Sequence, residues 1–307
     1  MTKRTVYLIN ERLRGVGEAL EERGFEVLLG NGELNREYLS RCWAFLPGRT
    51  HVTREVLDMA PKLKLICKQG VGVERIDTKA CAERGITVRS TPGSNAVSVA
   101  EHTMALMLAC IKRLRPIAEA ICGDGFDLSC VSRFRASELA GKTLSVIGFG
   151  DIGSRVARMA SAFDMHILAY VRHPERCPAP EYVELTANLD EAMSRADIVT
   201  LHVSGTAENR HMIGARELSL MRPNAVLINT TRGFVVDEEA LYDALTNGRL
   251  GGAGLDVFAA DPVAPDDPLL KLSNVVATPH TAANTPESNQ RAYEMCVQIV
   301  TEFAQRE

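Results

Sequence analysis

Short β-branched runs alternate along the chain with longer stretches whose apolar residues recur three and four positions apart. This is the pattern of βαβ units built around parallel sheets. Thr5–Ile9 reads as a strand, Arg12–Arg23 as a helix closed by Gly24, and Glu26–Leu29 as the next strand. Leu63–Cys67 is expected as a strand running into the turn Gly70-Val-Gly72, Thr78–Glu83 as a short helix and Ile86–Val88 as a strand. One long helix is expected from Val97 to Ala120, opened by the capping box Ser98-Val-Ala-Glu101. Beyond the connection Gly123–Ser137, a second series offers strands at Thr143–Ile147, Ile167–Val171, Ile198–Val203, Ala225–Asn229, Gly254–Val257 and Val275–Ala277. Helices are expected between them, including Glu238–Thr246, and a last helix covers Pro286–Gln305. The fold class is therefore α/β, with two doubly wound units and a cleft between them as the natural ligand site. Residues 1–97 plus 284–307 are expected to form one domain and 98–283 the other.

Composition narrows the function. With 307 residues there is room for two domains. Lys and Arg number 35 against 39 Asp and Glu, so the net charge of −4 excludes a strongly basic nucleic-acid binder. The apolar run Val6–Ile9 is too short for a signal peptide, and Met104–Ile111 is too short to span a bilayer, so a cytoplasmic protein with no membrane partner is expected. None of the eight cysteines forms a Cys-x-x-Cys pair, so no metal site is expected and the thiols read as small hydrophobes.

The densest chemical signal is Gly148-Phe-Gly150-Asp151-Ile152-Gly153, which leaves the strand Thr143–Ile147 and enters a helix. In such a strand–turn–helix the first glycine makes the tight turn. The second lets a pyrophosphate approach the backbone, and the third lets helix and strand pack closely. The helix N-terminus supplies N–H donors and a positive dipole. A dinucleotide site follows. Enzymes selective for NAD usually carry Asp or Glu at the end of the next strand, to bind the ribose 2′-hydroxyl. Val171 and then Arg172 stand there instead. A planar guanidinium suits a 2′-phosphate, so NADPH (NADP) is expected in preference to NADH, with NAD still possible.

Further segments stand in order around this loop: Leu65-Ile-Cys-Lys-Gln-Gly-Val-Gly-Val-Glu-Arg-Ile-Asp77, Ser90-Thr-Pro-Gly-Ser-Asn-Ala-Val-Ser-Val-Ala-Glu-His102, Ile228-Asn-Thr-Thr-Arg-Gly-Phe-Val-Val-Asp237, Gly254-Leu-Asp-Val-Phe258 and Thr278-Pro-His280. Together they resemble the D-isomer-specific 2-hydroxyacid dehydrogenases, over about residues 44 to 290. The resemblance implies two Rossmann-like domains in the manner of formate and glycerate dehydrogenases. It also implies a small 2-oxo or 2-hydroxy acid as substrate and a homodimer. It assigns Arg232 to the substrate carboxylate and carbonyl, and His280 to acid–base work. Both roles agree with their chemistry, a planar fork of donors and an imidazole that titrates near neutrality. Asp261 takes the place of the family's usual Glu as carboxylate partner of His280, one methylene shorter. The resemblance further places Asp256 at the nicotinamide carboxamide. It lines the cofactor with Ser98, His202, Thr206 and Thr230, and gives Asn95 and the backbone of Val71-Gly72 to the substrate. Ser204 replaces a usual Pro and Glu74 a usual Asp.

Hydride transfer between a nicotinamide cofactor and a small 2-oxo acid is thus the leading reading, similar to glyoxylate and hydroxypyruvate reductases. A 3-phosphoglycerate dehydrogenase would need extra cations for its phosphate, for which Lys68 and Arg49 are candidates. The regulatory C-terminal domain common in that branch is not expected in this chain. A third reading is a dehydrogenase-fold corepressor that senses the cofactor, which would bind dinucleotide but turn over 2-oxo acids poorly.

Overall fold

The computed structural model describes residues 3–124 and 134–307; Cys130 and part of the Gly123–Ser137 connection lie outside them. The chain divides into two compact units, Met1–Asn95 with Thr285–Glu307, and Ala96–Asn284.

In the first unit, β1 (Thr5–Leu8), β2 (Glu26–Leu29), β3 (Ala44–Leu46), β4 (Leu65–Lys68) and β5 (Thr87–Ser90) form a parallel sheet in the order β2-β1-β3-β4-β5. Its helices are α1 (Arg14–Glu21), α2 (Arg36–Arg41), α3 (Arg54–Asp58) and α4 (Thr78–Glu83). The central strands are apolar on both faces, as sheets covered on both sides require, and Tyr7 stacks on Phe45 with ring centroids 4.9 Å apart. The last helix of the chain (Pro286–Arg306) returns to this core through Cys296, Val297 and Val300.

The second unit begins with α5 (Ala96–Ile111) and α6 (Leu114–Asp124). The single helix expected over Val97–Ala120 is thus two. Arg113 takes a left-handed conformation at φ 52°, and Pro116 sits in the first turn of the new helix, where a missing N–H is tolerated. The Ser98 capping box does not form, because α5 already starts at Ala96 and Ser98 lies within it.

Seven parallel strands follow: β6 (Thr143–Ile147), β7 (His166–Tyr170), β8 (Val183–Thr186), β9 (Ile198–Leu201), β10 (Val226–Asn229), β11 (Gly252–Leu255) and β12 (Val275–Ala277). Their order is β12-β11-β10-β9-β6-β7-β8. The remaining helices are α7 (Asp151–Ser161), α8 (Leu189–Arg195), α9 (Ala215–Leu220), α10 (Glu238–Thr246) and α11 (Pro268–Lys271); we call Pro286–Arg306 α12. Winding starts at β6, runs outward to β8, then crosses to β9. The switch point therefore lies between β6 and β9, where doubly wound sheets bind ligands at the carboxyl ends of their strands. No helix among the described residues is long and apolar enough to cross a membrane.

Candidate active site

Register places one row of residues level across the second sheet: Ala277, Leu255, Asn229, Leu201, Ile147 and Tyr170. The residue after each is Thr278, Asp256, Thr230, His202, Gly148 and Val171. Nearly every position singled out in this half of the sequence therefore lies at, or just beyond, the same edge.

The glycine loop opens from the middle of that edge. Gly148 adopts φ +99°, and a Cβ there would sit 2.7 Å from the His202 carbonyl oxygen. A Cβ on Gly153 would collide with the Gly148 carbonyl. Both positions thus require glycine for close backbone approach. Gly150 is the N-cap of α7, with no side chain capping the helix and no atom within 4 Å of where its Cβ would be. The first N–H groups of α7, around Asp151 and Ile152, are left uncapped in front of open space. That arrangement fits the pyrophosphate of a dinucleotide.

Arg172 follows β7 and lies 60% exposed. Its guanidinium reaches Oδ1 of Asn209 at 3.1 Å and Oε2 of Glu208 at 3.4 Å. The strand end itself lacks a carboxylate, but Glu208 brings one from a distant loop. Neither partner stands out in the sequence, since the contact spans more than thirty residues. Buried Asn209 is anchored in turn through Nδ2 to the Ser204 carbonyl at 2.8 Å. Thr206 is exposed at the start of this 3-10 turn. Burial pushes the His202 imidazole down to about 3, so it is neutral at physiological pH. Its Nε2 lies 3.0 Å from Thr200 Oγ1, and its buried Nδ1 has no hydrogen-bond partner.

Beyond β10, buried Asn229 organises the Arg232 loop. Its Oδ1 accepts from the Thr231 N–H at 3.0 Å, and its Nδ2 donates to the Arg232 carbonyl at 3.0 Å. Arg232 itself is half-buried, and its Nη1 donates to the Thr231 carbonyl at 2.7 Å. Thr230 is buried and meets Thr103 of α5 at 3.1 Å. A Cβ on Gly233 would run into the Phe258–Ala259 peptide, so the Arg232 loop lies directly against the segment leading to Asp261.

Asp261 and His280 come together with Oδ2 3.4 Å from Nδ1, and both side chains are about one-third exposed. The shorter Asp therefore reaches the imidazole, at ion-pair rather than ideal hydrogen-bond distance. His280 holds a left-handed conformation at φ 54°. Asp256, 1% exposed, explains how: it accepts from Thr278 Oγ1 at 2.6 Å, Thr281 N–H at 2.8 Å and Ala282 N–H at 2.9 Å, while its carbonyl accepts from the His280 N–H at 2.8 Å. His102 adds a contact to Thr278 at 2.9 Å, and buried Ser98 donates to the Ala282 carbonyl at 2.6 Å. Asp256 and Ser98, expected along the cofactor, thus direct their polar atoms to the His280 loop.

In the first unit, Gly70 at φ +93° turns the chain after β4, and its N–H and carbonyl are tied to Thr91 at 2.8 and 3.0 Å. The turn presents Val71 47% exposed, with Gly72 beside it. Asn95 ends the linked Thr91–Asn95 segment, and its buried Oδ1 has no hydrogen-bond partner. No cluster of three His, Cys, Asp or Glu able to hold a metal occurs among the described residues.

Comparison with known proteins agrees with this architecture. The family described as D-isomer specific 2-hydroxyacid dehydrogenase, NAD binding domain, matches residues 104–282. A D-3-phosphoglycerate dehydrogenase of Methanocaldococcus jannaschii is 43% identical over 89% of this chain, but the match covers only 52% of that protein. The chain thus spans about half the length of such relatives. A hydroxypyruvate reductase of Thermotoga maritima is 40% identical over 79% of this chain and 78% of its own length. Among solved structures, a D-lactate dehydrogenase from Aquifex aeolicus complexed with NAD and lactic acid superposes with a TM-score of 0.87 at 33% identity, covering 98% of this chain and 96% of that one.

Proposed function

The chain belongs to the D-isomer-specific 2-hydroxyacid dehydrogenase family of nicotinamide-dependent oxidoreductases, and from that premise we propose that it reduces small 2-oxo acids such as glyoxylate and hydroxypyruvate in the cytoplasm, with NADPH favoured. The observation that carries this reading is the His280–Asp261 pair beside the Arg232 loop, on the sheet edge that also bears the glycine loop. Ala96–Asn284 serves as the dinucleotide-binding domain, and Met1–Asn95 with Thr285–Glu307 as the substrate domain.

When bound, the nicotinamide supplies a hydride to the carbonyl carbon of the 2-oxo acid. Gly148, Gly150 and Gly153 give the pyrophosphate access to backbone N–H groups at the start of α7. Arg232 grips the substrate carboxylate with its fork and polarises the ketone. His280 gives a proton to the ketone oxygen from Nε2, the ring nitrogen opposite the one facing Asp261. Asp261, facing Nδ1, orients the ring. In the oxidative direction the same imidazole takes the proton back from the 2-hydroxyl.

The preference for NADPH rests on Arg172. Its pair with Glu208 is exposed on both sides, and such pairs contribute only about 0–1 kcal/mol, so a 2′-phosphate can displace the carboxylate. Steady-state oxidation of NADPH and NADH with glyoxylate and hydroxypyruvate, alongside fluorescence titration of both dinucleotides, tests function and cofactor together. Arg172→Ala is expected to weaken NADPH roughly ten- to a hundredfold, as the loss of a charge-assisted hydrogen bond predicts, and to leave NADH unchanged. Equal losses would refute the phosphate assignment. No turnover with tight dinucleotide binding would favour a sensor.

The reading includes a homodimer. Leu114 and Ile121 lie seven positions apart on α6, 53% and 49% exposed, an apolar pair suited to a protein partner. Light scattering should give twice the chain mass, and a monomer at micromolar concentration would contradict it.

A further inference from the structure

Glu238 is the first residue of α10, directly after Asp237, whose side chain caps the helix by accepting from the Ala240 N–H. An acidic residue in a first helical turn is ordinarily a solvated complement to the helix dipole. Glu238 instead lies half-buried, and its Oε1 accepts from the backbone N–H of Ala259 at 2.6 Å. Drawing a carboxylate out of water has a cost that only a specific contact offsets. Here the contact falls on one peptide of the loop that carries Asp261.

That peptide is also tightly packed. Gly233, the residue after Arg232, packs so closely on the Phe258–Ala259 peptide that any Cβ there would collide with it. The peptide is therefore packed by the Arg232 loop and hydrogen-bonded by the Glu238 carboxylate. Two residues further on, Asp261 meets Nδ1 of His280 at 3.4 Å. The charged groups that face Glu238 are Asp267 and His211, and His211 in turn lies 3.9 Å from Asp237. Burial, helped by Asp267, pushes the Glu238 carboxyl above the usual range, opposed by the Ala259 N–H and by His211.

We propose that Glu238 is a positioning residue for the acid–base pair: by holding the Ala259 N–H it sets the Ala259–Asp261 segment so that the Asp261 carboxylate meets the His280 ring. The proposal rests on the reading of Asp261 and His280 as that pair, and it adds a third group, a carboxylate that touches neither substrate nor cofactor.

The test uses the full chain without ligand, at one fixed pH. Ring-nitrogen signals are recorded by long-range proton–nitrogen NMR, with the His280 signals assigned through His280→Asn. Asp261→Asn reports what loss of the carboxylate does to the His280 Nδ1 signal. Glu238→Ala is expected to move that signal in the same direction. Glu238→Asp, which withdraws the acceptor by one methylene, should move it part of the way and guards against a misfolded alanine variant. Glu238→Gln, whose amide oxygen can still accept from Ala259, should restore the native position. In turnover with hydroxypyruvate, Glu238→Ala should lower kcat roughly ten- to a hundredfold with KM little changed, as misplacement of a reacting group does. It should add nothing in an Asp261→Asn background. A His280 signal that answers to Asp261→Asn but not to Glu238→Ala or Glu238→Asp would overturn the proposal and leave the pair standing. A signal indifferent to Asp261→Asn would overturn both.

Discussion

His280→Ala should lower kcat by about 10²–10⁴-fold, the usual contribution of a positioned general acid, while dinucleotide affinity stays unchanged. The ketone oxygen gains negative charge as the hydride arrives, and without the imidazole its proton must come from water. The glycine loop and Arg172, proposed to hold the dinucleotide, lie elsewhere on the sheet edge, so its affinity has no reason to change. One structural effect needs separating from the chemistry. His280 sits at φ 54°, where alanine is strained but asparagine is tolerated. His280→Asn therefore keeps the loop conformation and removes only the acid. Single-turnover hydride transfer should be slow in both variants by similar factors. Near-normal turnover in the asparagine variant would remove His280 from the mechanism. A loss confined to the alanine variant would mean that backbone strain, not proton transfer, was being read.

The loop that holds His280 shows what a sequence can and cannot convey. The glycines at 148 and 153, Arg232 and His280 are legible because each chemical signal lies within a few residues of a strand end, and parallel strands deliver their ends to one edge. The polar groups that fix these residues are not legible in that way. Asn229 reads as the last residue of an apolar strand, yet it holds the Arg232 loop at both ends. Asp256 and Thr278 belong to neighbouring strand ends and meet only through the register of β11 and β12. Glu208 reaches Arg172 and Glu238 reaches Ala259 across long stretches of chain. Hydrophobic periodicity carries no information about such pairs. It also misleads locally: β3 has only three residues and no alternation to mark it, and β8 has four, so both escape the pattern. The long apolar periodicity of Val97–Ala120 runs straight through the break at Arg113, where Pro116 was the residue that could have signalled a new helix.

Arg232→Ala should reduce kcat/KM by at least roughly a thousandfold, with KM rising and kcat falling together. Two losses combine. Charge-assisted hydrogen bonds to the substrate carboxylate contribute about 1.5–3 kcal/mol each, felt equally before and during reaction. A donor aimed at the developing oxyanion is worth about 10²–10³ in kcat. The split between KM and kcat therefore reports which atoms of the fork do which work. Arg232→Lys separates charge from geometry, because an ammonium is a point charge that cannot grip a carboxylate bidentately. It should recover part of the KM and little of the kcat. The loop itself should survive either change: Asn229 holds it through the Thr231 N–H and the Arg232 main-chain carbonyl, neither of which needs the guanidinium. An unchanged melting temperature with collapsed kcat/KM would locate the loss in the chemistry. An Arg232→Ala enzyme with native KM and kcat would end the assignment of the carboxylate to this residue.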